Sequence, residues 1–165
     1  MKRYLLASAI AVSAVSPANA QSTAGSNLSV TANVTANCTV STSPVAFGSV
    51  NTLSASNVDA SGGITVTCTS GTAWTAAADA GTGSGASLLT RRMTPATGTT
   101  ALNYSLYTDS GRTTVWGDGT STTGTIGDSG TGSAQAITIY GRVPSGQGVV
   151  PAGSYADTVA VTVSY

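Results

Sequence analysis

Few side chains in this chain could do chemistry. Gly127-Asp128-Ser129-Gly130 has the form of a serine-nucleophile loop. Such a serine needs a neighbouring base to take its proton. The chain has no His, and its one Lys, Lys2, lies in a segment that reads as removable. The tetrapeptide is therefore read as a Gly-rich turn. Trp116-Gly117-Asp118-Gly119 could open a calcium loop, but the spaced carboxylates of such a loop are missing and the Asp residues are scattered. Gly81, Gly83 and Gly85 stand in no strand-to-helix unit, so they make no dinucleotide cradle. Trp74, Trp116 and the six Tyr could stack on a sugar, yet such residues ordinarily plug cores and cover sheet faces. Arg91 and Arg92 must face opposite sides of any strand, and a solvated or interface role is expected for them. No catalytic residue, cofactor or metal is expected.

Cys38 and Cys68 remain. Residues 1–20 read as a secretory signal peptide: Lys2 and Arg3 are its basic start, the stretch from Leu5 to Val15 is apolar, and Ala18-Asn19-Ala20 fits the cleavage rule. The mature chain then begins at Gln21 and meets an oxidising compartment, where two cysteines have one intramolecular pairing. Each sits in an alternating run, so the expected disulfide ties the strand after the N-terminal segment to a strand of the opposing region. Closing such a loop contributes about 3–4 kcal/mol on the chain-entropy model.

Beyond the signal segment, four Arg face six Asp, a net charge of −2, with no Lys or Glu. A basic nucleic-acid footprint is absent. The 165 residues suit one domain after export. Charged residues are only 7% of the chain, and 20 Gly are spread among Ser, Thr and Val, which points to a turn-rich all-β protein. Short alternating runs lie near 45–50, 63–69, 72–78, 87–93, 101–107, 113–117, 134–143 and 155–165. With no helical period between them, they predict an antiparallel sandwich or barrel.

The most informative stretch is residues 28–40. Leu28, Val30, Ala32, Val34, Ala36, Cys38 and Val40 alternate with Ser, Thr and Asn, without Gly or Pro. At about 3.3 Å per residue this run extends roughly 40 Å, more than a small sheet comfortably pairs. Either it is one long edge strand bending between two sheets, or its first half is meant for another subunit. The run 157–165 also alternates, with Val159, Val161, Val163 and Tyr165 on one face. A strand on offer and an uncovered strand edge are complementary, and joining them between molecules is β-augmentation.

Several pieces together resemble the spore coat protein U domain family, which includes subunits of archaic chaperone–usher pili. They are Asn37-Cys38-Thr39-Val40, Ile64-Thr65-Val66-Thr67-Cys68, Leu102-Asn103-Tyr104-Ser105-Leu106-Tyr107, Trp116-Gly117-Asp118-Gly119-Thr120, Tyr140-Gly141-Arg142-Val143-Pro144 and the ending from Pro151 to Tyr165. The resemblance implies an incomplete immunoglobulin-like antiparallel β-sandwich over residues 37–165, completed by a donor strand from another subunit. It further implies an N-terminal donor segment over 21–36, inserting Leu28, Val30, Ala32 and Val34, and an acceptor groove edged by Val159, Val161, Val163 and Tyr165. The implied partners are identical or sister subunits, a periplasmic chaperone and an outer-membrane usher. The expected role is a structural subunit of an extracellular fibre supporting adhesion or biofilm formation. A spore- or cell-coat protein of the same family, or a secreted carbohydrate-binding sandwich, is the alternative.

Overall fold

The structure, a computed structural model, describes residues 20–165, so the expected signal peptide lies, apart from Ala20, outside the described residues. The chain divides into a unit ending at Asn33 and a unit spanning Val34–Tyr165. In the first, residues 20–33 carry no helix or strand and all are exposed.

The second unit is built from antiparallel strands: β1 (Cys38–Ser43), β2 (Val58–Cys68), β3 (Ala73–Ala78), β4 (Arg91–Pro95), β5 (Leu102–Tyr107), β6 (Ile126–Ser129), β7 (Gln135–Val143), β8 (Tyr155–Ala156) and β9 (Val161–Ser164). One sheet runs β1-β2-β7-β5-β4-β8 and a smaller one runs β6-β3-β9. Period-2 alternation sets which side chains are inside. Ile64, Val66 and Cys68 of β2, Leu102, Tyr104 and Leu106 of β5, and Ile139 and Val143 of β7 face Trp74, Ala76 and Ala78 of β3. At about 25 cal/mol per Å² of apolar surface removed from water, this shared core dominates the folding energy.

Several expected strands take other forms. Residues 45–50 pair with nothing, and their alternation serves to plug the interior. On β7 the inward Gly141 has no side chain; a Cβ there would lie 2.7 Å from Val45 Cγ1 and 2.8 Å from Phe47 Cζ. The run 113–117 makes only isolated bridges, Tyr107 with Val115 and Trp116 with Gly124. Gly127-Asp128-Ser129, read as a turn, belongs to β6 and pairs with β3 from Ala73–Ser129 to Ala76–Ile126. Strand β2 starts earlier than its periodicity suggests. Gly62 permits this, since a Cβ there would stand 2.6 Å from the Pro44 carbonyl oxygen.

The terminal run 155–165 divides between the two sheets. β8 joins the large sheet through Thr94–Ala156, and β9 joins the small one through Ala78–Val161. Two carboxylates hold the crossing. Asp157 accepts from the Thr82 amide at 2.8 Å, the Thr82 hydroxyl at 2.9 Å and the Tyr104 hydroxyl at 2.8 Å. Asp79 accepts from the Ala160 and Gly81 amides, each at 2.9 Å.

Arg91 departs from expectation: it is fully buried, while Arg92 on the other face is half-buried. The Arg91 guanidinium donates to three backbone carbonyls, Asp79 at 2.8 Å, Leu88 at 3.3 Å and Trp116 at 2.8 Å. Burial pulls its pKa down from the ordinary arginine value. It ties the β3–β4 connection to the segment carrying Trp116, whose indole N–H donates to the Ala76 carbonyl at 3.2 Å. On the outer face of β2 and β7, Arg142 makes a two-pronged pair with Asp59 at 2.7 and 2.8 Å, and Arg112 approaches Asp59 at 3.3 Å.

Two outcomes are expected. Arg91→Met leaves three carbonyls without their donor, that of Trp116 buried, which should cost about 2–4 kcal/mol and be visible as a lowered melting temperature. The Arg142 hydrogen bonds, with the Arg112 charge adding, hold the Asp59 carboxyl below its ordinary value. Hydrogen bonds from Thr114 and Thr113 lower Asp109, and those from Thr120 lower Asp118. Carboxyls depressed by folding stabilise above their unfolded pKa, about 4, and lose that contribution as pH falls through the folded value. With neither His nor Glu in the chain, the melting temperature should be nearly flat from about pH 5 to 8 and decline below about pH 4. Asp59→Asn should blunt that decline; an unchanged acid profile would count against the pair's contribution.

Candidate functional site

Both sheets end in a strand whose inner face is only partly covered. Val40 and Thr42 of β1 lie in register with Val66 and Ile64 of β2, so all four point inward. Val66 and Ile64 are buried, whereas Val40 is 40% exposed and Thr42 is also exposed. On the small sheet Val161 and Val163 of β9 pair with the buried Ala78 and Ala76, yet both valines are only half-buried. β1 and β9 are terminal strands of their sheets. Each keeps one row of backbone N–H and C=O groups outside the ladders, a template for another strand.

Between them a cleft of about 430 Å³ opens onto the core, with Ile64, Tyr104, Leu106, Trp116 and Ile139 in its lining. Its walls are the end of β1 from Thr42 and the segment from Tyr155 to Val161. At one end the walls converge, where the Tyr165 hydroxyl donates to Asn37 Oδ1 at 3.4 Å. At the other the cleft meets a second one of about 730 Å³, through the shared residues Val45, Phe47, Met93 and Tyr155. Phe47 packs edge-on against Tyr104, ring centroids 6.1 Å apart. Burial, with the hydrogen bond to Asp157 adding, pushes the Tyr104 phenol well above its ordinary value, so it stays a neutral donor.

Cys38 and Cys68 form a disulfide. They are direct register partners on β1 and β2, so the bridge staples neighbours within one sheet instead of reaching an opposing region. It anchors the β1 wall.

The expected site residues fall in three places. Leu28, Val30 and Val34 are 88%, 84% and 82% exposed, and Ala32 is exposed too. Val159 and Val161 line the cleft. Val163 packs against the core beyond it, and Tyr165 is 60% exposed beside Asn37. The sequence pattern did not assign Val40, Val45, Phe47, Met93 or Tyr155 to the groove. The Val45-Ala46-Phe47 alternation was a usable signal, read there as strand pairing. Trp74 and Trp116 are buried, 3% and 2% exposed, so they form no surface platform. The Asp118 carboxylate is engaged by the Thr120 amide at 2.8 Å and hydroxyl at 2.6 Å.

Geometry of this kind defines a class, the incomplete immunoglobulin-like sandwich with an uncovered strand position. Residues 24–162 match the Spore Coat Protein U domain, and the chain belongs to that family. It is 43% identical over 83 residues to Protein U of Myxococcus xanthus, a match covering 50% of this chain and 45% of that relative, so the chain spans about half the relative's length. Its fold is similar to a chain in the solved CsuC–CsuE chaperone–tip adhesion subunit pre-assembly complex from archaic chaperone–usher Csu pili of Acinetobacter baumannii. That likeness has a TM-score of 0.57 at 21% identity, covering 80% of this chain and 40% of that one.

Because the disulfide closes a separation of 30 residues, replacing both cysteines by Ser should lower stability by about 3–4 kcal/mol. Hydrogen exchange should show faster opening of β1 than of β7. Unchanged β1 protection in the double Ser variant would remove the disulfide from the architecture of the groove.

Proposed function

We propose that this chain is a structural, non-enzymatic subunit of an extracellular fibre that polymerises by donor-strand exchange. In this reading, residues 21–36 of one copy lie in the groove of the next, with Leu28, Val30, Ala32 and Val34 directed into it. The observation that carries the reading is the apolar cleft between β1 and β9, open to the core and bordered by unpaired strand edges. An exposed, alternating segment of this chain has the pattern such a cleft accepts. Seating four apolar side chains buries several hundred Å², of order 5–10 kcal/mol before ordering costs. Backbone ladders add to this, and slow unfolding maintains the joint.

Before polymerisation the same groove needs a temporary strand, which gives a periplasmic chaperone its role, and an outer-membrane usher would release the fibre to the surface. The family membership and the similarity in fold to a pilus subunit support these partners, and the basic start, apolar stretch and Ala18-Asn19-Ala20 of the sequence support export by a signal peptide. Support for adhesion or biofilm formation is the proposed cellular outcome. A coat-forming subunit is the second reading, favoured by the similarity to Protein U, and it would use the same strand exchange.

Deleting residues 21–36 should leave a domain that binds its chaperone but no longer donates. Val30→Asp should act similarly, because a carboxylate in an apolar pocket costs several kcal/mol unless neutralised. Grafting residues 22–36 behind Tyr165 through a flexible linker, in the truncated chain, should give a heat-resistant monomer. Native gels and thermal melts check both. A truncated, ungrafted chain that is already a stable monomer, or that still forms fibres, defeats the donor-strand reading.

A further inference from the structure

Beside the groove's wide end stand two large apolar side chains that the donor segment does not explain. Leu53 and Val149 are 84% and 86% exposed. They sit on adjoining loop tips: a Cβ on Gly148 would lie 3.2 Å from Leu53 Cδ2. Neither tip is loosely held. The Leu53 amide donates to Asn51 Oδ1 at 3.0 Å, and the Ser54 amide to the Asn51 carbonyl at 3.1 Å. Gln147 is pinned to Asn103 in both directions, accepting from its amide at 2.8 Å and donating to its carbonyl at 3.1 Å. The Val150 amide closes the second tip onto the Gln147 carbonyl at 3.0 Å. Apolar side chains fixed in position over water mark an interaction surface, since their ordering cost is met before any partner arrives. The second cleft beneath them is lined by no Asp or Arg.

We propose that Leu53, Val149 and the rim of this cleft dock the folded body of a second copy, the one whose residues 21–36 fill the neighbouring groove. The inference rests on the donor-strand reading and adds a second contact to it. Only Thr35, Ala36 and Asn37 separate Val34 from Cys38, where β1 begins. The four residue steps from Val34 to Cys38 span at most about 13 Å, so the donor's body must stand at the mouth of the groove it fills. Of the two ends, Asn37 and Tyr165 close one, while the other opens into the second cleft. The trailing, body-bearing end of the donor therefore leaves by the wide end. This orientation runs the donor antiparallel to β9 and parallel to β1. It brings the donor's body against Leu53 and Val149. Uncharged tips suit a partner of net charge −2, which like charges at the contact would repel.

The test uses full-length fibres and chaperone-held monomer. In wild-type fibres, amides of residues 51–54 and 147–150 should exchange about fivefold or more slowly than in the chaperone-held form. Equal exchange overturns the proposal, and this measurement needs no variant to fold. Leu53→Asp combined with Val149→Asp should keep the SDS-resistant ladder of strand-exchanged subunits while the fibre's persistence length falls by roughly half or more, because linked bodies without an apolar interface move independently. Wild-type stiffness in those fibres rejects the docking surface, whatever else the two substitutions change. If the ladder itself disappears, the milder Leu53→Ser and Val149→Ser pair decides by the same two readings. A wild-type chain that forms no ladder overturns the donor-strand reading itself, a result distinct from loss of stiffness.

Discussion

The inner faces of β1 and β9 lie over a core that neither strand covers. Everything else in the domain follows from that vacancy between them. A sandwich normally buries both sheets' inner faces against each other, and here the burial stops one strand short. Val66 and Ile64 are sealed by their neighbours, but Val40 and Thr42, one strand further out, remain in contact with water. The cost is exposed apolar surface together with unsatisfied ladder groups, and a single inserted strand removes both at once.

Such a cleft would collapse if its walls were free to close. The walls are held from outside it. A disulfide fixes the start of β1 to β2, and Arg91 uses three carbonyls to lock the β3–β4 connection to the Trp116 segment. Asp157 and Asp79 hold the chain where it crosses from the large sheet to the small one. These polar contacts add modestly to stability, and they hold the groove's walls apart; in the donor-strand reading proposed above, that keeps it shaped for an incoming strand. Preorganisation of this kind converts buried area into binding energy with less ordering cost.

Charge is scarce, only 7% of the chain. The charges present are used inside the domain: Asp59 with Arg142 and Arg112, Asp157 with Tyr104 and Thr82, and Arg91 in the core. What remains outward at the wide end of the groove is apolar and uncharged.

Local pattern alone determined much of this. The all-β class, the pairing of two cysteines and the alternation of residues 28–40 and 157–165 are all period-2 or compositional signals, readable without a partner strand in view. Residues whose position depends on distant contacts were not readable that way. Phe47 looked like a strand residue because its alternation is genuine; only the bare backbone of Gly141 on β7 turns it into a plug. Arg91 looked like a surface cation, and three carbonyls from separate parts of the chain make its burial tolerable. Gly127-Asp128-Ser129 carries turn residues, yet the free edge of β3 recruits it as a strand. The split of 155–165 between two sheets likewise depends on Asp79 and Thr82, remote in sequence. Alternation tells which side chains share a face, whereas which sheet receives that face, and what is left uncovered, is set by long-range pairing that no short window contains.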